Sequence, residues 1–214
     1  MPQTNTAQFF DSYAEDFNAI YGTKNTIFNN IINKLFRKSM KLRFEKTIEE
    51  CSQIEGKSVI DIGCGPGHYG ITLAKIGAGS VFGIDFSQSM IDIAVKNAGK
   101  AGVQEKCTFI VDDFLTFETD NTFDYAIVMG FMDYTAEPDK AIEKVLSLTR
   151  EKALFSFPVD GGILALQRKI RYKKKCDLYM YKYEVIQKIF KSAPCKDFDI
   201  QKISRDFFVS VSME

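Results

Sequence analysis

Thirteen consecutive residues, Ser58-Val59-Ile60-Asp61-Ile62-Gly63-Cys64-Gly65-Pro66-Gly67-His68-Tyr69-Gly70, constrain this chain more than any others. An apolar run carries an acid near its end and then breaks into glycines at alternate positions, which predicts a buried strand, a tight turn and the start of a helix. Glycine serves where the backbone needs a positive φ or must meet a ligand with no Cβ in the way, so a ligand is expected to lie on bare main chain here. A dinucleotide fingerprint would need Gly-x-Gly-x-x-Gly, and the position of its third glycine is His68. Asp61 also opposes an anionic group at the turn and favours a cationic one. The ligand should therefore carry positive charge close to residues 63–67.

The segment Asp61-Ile62-Gly63-Cys64-Gly65-Pro66-Gly67 resembles the first motif, acid-x-Gly-x-Gly-x-Gly, of the class I S-adenosylmethionine-dependent methyltransferases. The resemblance implies that Asp61 and the turn, with Gly63, Cys64, Gly65 and His68, hold the amino acid end of S-adenosylmethionine, the product being S-adenosylhomocysteine. It also implies an α/β, Rossmann-like fold: a seven-stranded, mostly parallel sheet of order 3-2-1-4-5-7-6 with the last strand antiparallel. Helices should cover both faces, and a helical lid should precede them.

A chain of 214 residues suits a single domain with a sizeable core. We divide it into a lid and cover (1–50), a cofactor-binding core (56–158), a substrate-side insert (159–181) and a closing helix with hairpin (182–214). The formal net charge is zero, so no global field recruits nucleic acid, and any such contact would need a local patch. Five scattered cysteines and one histidine give no metal-binding spacing, so no metal is expected and the thiols should be reduced. Residues 1–10 lack the pattern of a secretory signal, and the longest apolar run, 125–132, is too short to span a bilayer. A cytoplasmic enzyme is the expectation.

Along the chain, Phe9, Tyr13, Phe17 and Tyr21 recur every four residues and line one helical face. That stripe is either ordinary core or a lid over the cofactor, where a tyrosine face attracts a sulfonium. Tyr13 is the cofactor candidate and Tyr21 the acceptor-side one. Residues 26–50 read as an amphipathic helix with Ser39 as a candidate break; its cations, Arg43 among them, are expected to be solvated, with a membrane-surface role as the rival reading.

A second strand, 80–86, ends in Asp85, whose carboxylate can accept hydrogen bonds from both hydroxyls of a ribose. Ser87 should cap the helix that follows. The resemblance implies that Phe86 and Met90 pack on the adenine and that Asp112 and Phe114, with Asp113 beside them, close its other side. Residues 123–130 form a fourth strand that delivers Met129 and Gly130 to the ligand end of the sheet, with Phe131, Met132, Asp133 and Tyr134 just beyond. Neither an Asn/Asp-Pro-Pro-Tyr segment nor a cysteine occurs there, which disfavours the nucleic acid and translation-factor chemistries. The leading aromatic segment resembles loosely that of magnesium-protoporphyrin and ubiquinone-type O-methyltransferases, which often have a histidine where this chain has Asp133.

After a helix at 137–148 and a strand at 152–158, the insert 159–181 carries Arg168, Lys169, Arg171, Lys173, Lys174 and Lys175 with no acid between them and Asp177. This run is either a solvated face or a site for a carboxylate or phosphate. A last helix at 183–191 and a hairpin from 197–205 and 207–213 complete the chain.

Methyl transfer from a sulfonium is an in-line displacement and needs no nucleophilic triad. The candidate groups for acceptor handling are Tyr21, Asp133 and His68, with Tyr134, Arg168 and Arg171 for substrate contact. The expected activity is transfer to an oxygen or nitrogen of a small molecule, anionic or lipid-like. RNA- or protein-directed transfer through the basic insert, a non-catalytic S-adenosylmethionine-binding module and an NAD-linked oxidoreductase are the alternatives. Peripheral membrane contact stays open.

Overall fold

A computed structural model describes residues 27–172 and 177–213, and the side chains among them other than those of 27–37, 163, 164, 167, 171 and 172. The aromatic stripe with Tyr13 and Tyr21, and the side chain of Arg171, fall outside what is described. Helix α1 (Ile27–Glu50) leads into β1 (Ser58–Ile62), α2 (His68–Lys75), β2 (Ser80–Asp85), α3 (Gln88–Ala101) and β3 (Cys107–Val111). Then follow β4 (Phe123–Val128), α4 (Pro138–Ser147), β5 (Thr149–Pro158), α5 (Gly162–Tyr172), α6 (Tyr183–Ser192), β6 (Asp197–Ile203) and β7 (Asp206–Ser212).

The seven strands form one sheet of order β3-β2-β1-β4-β5-β7-β6, as expected from the resemblance. Strand β1 lies parallel between β2 and β4, and only β7 runs against its neighbours β5 and β6. Because side chains alternate across a strand, Ile60 and Ile62 enter one core while Val59 enters the other. The first core gathers Ala141, Ile142, Val145 and Leu146 of α4 with Ile186 and Phe190 of α6. The second packs Leu73 and Ala74 of α2, with Cys51 and Ile54 beyond α1, on the opposite face. Burial on both sides explains why β1 reads as an almost unbroken apolar run.

Two expectations need correction. Helix α1 passes through Ser39 without a break, because the Ser39 hydroxyl donates to Asp206 Oδ2 at 2.7 Å across the fold. A serine engaged in a tertiary bond does not compete with its own helical backbone. The insert, for which a charge pattern alone was legible, contains α5, whose C-terminal turn begins the basic run.

Candidate active site

Strand β1 hands the chain to a turn in which Gly63, Gly65 and Gly67 all adopt left-handed φ values of 65°, 49° and 78°. At Gly63 a Cβ would also press on Phe131 at 3.2 Å, so a side chain there would close the space over the turn. The amides of Gly63 and Cys64 donate to the Ile84 carbonyl at 2.9 and 3.1 Å, tying the turn to the end of β2. The amide of Gly65 donates to Asp85 Oδ2 at 2.9 Å, and that of Ser87 to Asp85 Oδ1 at 2.9 Å.

Above this turn opens a cavity of about 490 Å³. Its wall includes Gly63, Cys64, Gly65, His68, Asp85, Phe86, Met90 and Asp113 from the segments around β1, β2 and β3, with Met129, Gly130, Asp133 and Tyr134 after β4 and Arg168 from α5. Three expected residues lie elsewhere. Asp61 is 1% exposed behind the turn, where its Oδ2 accepts the Gly70 amide at 3.1 Å. Asp112 is exposed and accepts the Asp113 amide at 2.7 Å, whereas Phe114 is buried in the core, edge-on to Phe131 at 5.9 Å. Asp113 and Leu115 take the wall positions instead, one residue along from the expected pair.

Burial is the main influence on the titrating groups. It pushes the Asp61 carboxyl up to about 7, with Asp85 adding to the effect and the Gly70 amide opposing it. It holds His68 below the usual imidazole range, hence neutral, and lifts the Cys64 thiol well above its ordinary value with Asp61 and Asp85 nearby.

The far end of the cavity is built from charges drawn from four parts of the chain. Arg168 of α5 donates from Nη1 to Asp206 Oδ1 at 2.9 Å and from Nη2 to Asp133 Oδ2. Arg43 of α1 donates from Nη1 to Ser156 Oγ at 3.2 Å and stands 3.9 Å from Asp206. Burial raises the Asp133 carboxyl, Asp206 adding to this and the two arginines opposing it. Burial works the same way on Asp206, but Arg43, Arg168 and the Ser39 hydroxyl outweigh it and keep that carboxylate below its usual range. Asp133 Oδ1 and the Nε atoms of Arg43 and Arg168 are buried with no hydrogen-bond partner.

Arg43 is one of three residues, with Leu115 and Asp206, that sequence reading missed. Expected in solvent, its side chain is 11% exposed and its Nη atoms lie 3.8 Å from where a Gly130 Cβ would be. The available signal was its spacing of four from Ser39, which puts both on one helical face. Arg168 is on the wall as expected, but its fork is already spent on two internal carboxylates.

A family model described as a methyltransferase domain matches residues 54–193. The ubiquinone biosynthesis O-methyltransferase of Paraburkholderia phymatum is 30% identical over 105 residues, 49% of this chain and 45% of that protein. The enzyme of the same name from Coxiella burnetii is 33% identical over 107 residues, 49% of this chain and 44% of that one. The chain thus spans about half the length of these relatives. Among solved structures, magnesium protoporphyrin IX methyltransferase from Synechocystis with bound S-adenosylhomocysteine superposes with a TM-score of 0.81 at 21% identity. That likeness covers 99% of this chain and 100% of the other and concerns the fold.

The raised Asp61 carboxyl has a stability signature. A group that is harder to ionise in the folded state contributes stability that is present below its unfolded value near 4 and lost as pH rises through about 7. In the ligand-free protein, Asp61→Asn should therefore melt several degrees above the unsubstituted chain at pH 8, with the margin closing toward pH 4 in paired thermal melts.

Proposed function

Because this chain belongs to the methyltransferase-domain family, the class I S-adenosylmethionine-dependent enzymes that its glycine turn resembles, we propose that it transfers a methyl group to an oxygen or nitrogen of a small molecule. The observation that carries this reading is one cavity joining the glycine turn, the Asp85 carboxylate and the carboxyl end of β4. A fold match alone would not distinguish chemistries, whereas this arrangement suits the parts of one cofactor.

The amino acid end of S-adenosylmethionine is a zwitterion and needs an anion and a cation. Asp61 behind the turn supplies the negative field, and Arg43 at Gly130, with a buried unpartnered Nε–H, supplies donors for the carboxylate. At Gly65, where a Cβ would meet only Met90 Sδ at 4.0 Å, the bare main chain on the cavity wall suits a ligand lying on it. Asp85 would hold the ribose hydroxyls, and Phe86, Met90, Asp113 and Leu115 would enclose the base. The bound cofactor supplies an electrophilic methyl group, displaced in line by the acceptor's lone pair.

The chain's own residues then have to align the acceptor, exclude water and take up a proton. Phe131 and Met129 form the apolar floor at the end of β4, and Asp133 stands beyond them with its second oxygen clamped by Arg168. A buried carboxyl that ionises reluctantly is suited to receiving the proton of an O–H or N–H acceptor through Oδ1. His68, which lines the same cavity and is held below the usual imidazole range by burial, is the other candidate for that role.

The deciding experiment incubates the full chain with methyl-labelled S-adenosylmethionine and a fractionated cell extract. Label should enter the small-molecule fraction; label confined to RNA or protein, or none despite S-adenosylhomocysteine binding, overturns the reading. For Arg43→Met, calorimetry should show S-adenosylhomocysteine affinity falling about 10- to 100-fold, with methylthioadenosine, which lacks the amino acid, unaffected. Asp133→Asn should lower kcat about 100-fold or more while cofactor affinity stays within about twofold, and equal losses in both would assign it to cofactor binding instead.

A further inference from the structure

Two buried carboxylates on the cavity wall share one guanidinium, yet they are held differently. Asp206 has both oxygens engaged: Oδ1 accepts Arg168 Nη1 at 2.9 Å and Oδ2 accepts the Ser39 hydroxyl at 2.7 Å, with Arg43 Nη1 3.9 Å from that second oxygen. Asp133 has one oxygen on Arg168 Nη2 and the other, Oδ1, buried with no hydrogen-bond partner. Two acids in such unlike surroundings can divide a task, one staying ionised and the other taking up a proton.

Their backbones differ as well. Asp206 opens β7, where it is paired with Pro158 of β5 on one side and Ile203 of β6 on the other. A side chain that leaves a strand bordered on both sides starts from a fixed point. Asp133 sits in a turn after β4, its carbonyl accepting the Tyr179 amide at 2.8 Å, while the neighbouring Met132 carbonyl accepts the Tyr181 hydroxyl at 3.1 Å. Arg168 bridges from the one acid to the other. It belongs to α5, whose Leu166 and Ile170 stand exposed while Ala165 and Arg168 turn inward. A guanidinium is a planar fork, so holding one arm sets the direction of the other.

We infer that Asp206 is a positioning residue: from the sheet it fixes the Arg168 fork, and through that fork it holds Asp133 Oδ2, so that Oδ1 is the oxygen left for the acceptor. The role rests on the methyltransferase reading. There the acceptor's lone pair forms a bond to the methyl carbon as the carbon–sulfur bond breaks, the thioether keeps that pair, and the acceptor's proton passes to Asp133 Oδ1. The charged and titratable groups that face Asp133 are Arg168 of α5, Arg43 of α1, Asp206 of β7 and Tyr181 ahead of α6, and Tyr134 faces Arg168. The arginines favour ionisation of Asp133 and Asp206 opposes it. Without the Asp206 charge, Asp133 should therefore ionise at lower pH, and Arg168 loses the anchor that aims it.

The test uses the full chain, ligand-free, with carbon-13 in the aspartate carboxyls and nitrogen-15 in the arginine side chains. In the unsubstituted protein the Arg168 guanidinium should give separate Nη signals because its rotation is blocked. In Asp206→Asn and Asp206→Glu those signals should merge. The Asp133 carboxyl, assigned with Asp133→Asn, should titrate at lower pH in Asp206→Asn. With methyl-labelled S-adenosylmethionine and the fractionated extract, both variants should lose about 100-fold in transfer rate at saturating cofactor, while methylthioadenosine affinity stays within about twofold and reports an intact cavity. Asp206→Glu keeps the charge and moves it by one methylene, so it decides if Asp206→Asn does not fold. Separate Arg168 signals in the folded variants, an Asp133 titration unmoved in folded Asp206→Asn, or full transfer by Asp206→Glu overturns the proposal, the last because charge alone would then suffice. Failure of both variants to fold assigns Asp206 a structural role alone and overturns it too. If the unsubstituted chain labels no acceptor, the methyltransferase reading fails by itself, and the Arg168 signals still judge the positioning.

Discussion

The carboxylate of Asp85 is the joint on which the glycine-turn half of the cavity depends. Two tight turns, one after β1 and one after β2, each leave an amide pointing inward, and Asp85 accepts both, from Gly65 and from Ser87. A buried amide without a partner costs about 1–3 kcal/mol, so a residue unable to accept both would leave the turns free to shift. With both bonds made, the glycine turn is held at a fixed height against β2, and Ser87 is placed to accept the Met90 amide at 3.2 Å and start α3. Met90 thereby arrives on the cavity wall 1% exposed. One side chain sets the spacing of turn, cap and wall.

At the other end, Arg43, Asp133, Arg168 and Asp206 form a buried group of two cations and two anions from α1, the segment after β4, α5 and β7. Burying a charge is costly unless it is paired, so each member depends on the others being in place. Their formal charges cancel, which changes the meaning of Arg168. A guanidinium already bonded to two carboxylates organises the cavity wall and has little left with which to hold an anionic acceptor.

Sequence and structure agree most closely where a local pattern has a local cause. The alternation in β1, the acid at the end of β2 and the serine before α3 act through bonds to residues a few positions away, or through the period of a strand. The strand order followed from the motif's resemblance to a known family and is the order observed. Asp112 and Asp113 show how far such reading reaches: adjacent acids at a strand end have the same local signature, and only the turn made by the Asp113 carboxylate accepting the Leu115 amide at 3.1 Å decides which faces the cavity.

By itself, the sequence determined a buried strand that breaks into a glycine turn at residues 63–67 and an acid at the end of β2, because glycine conformation and side-chain period are properties of short segments. Tertiary structure alone decided that Arg43 is buried rather than solvated, that Ser39 continues its helix, that Arg168 is neutralised from within and that α5 turns leucine and isoleucine outward. Each of those outcomes depends on a partner more than thirty residues away or on which face of a helix finds a core, as with Ser39 and Asp206, 167 positions apart. No window of the chain contains both members of such a pair.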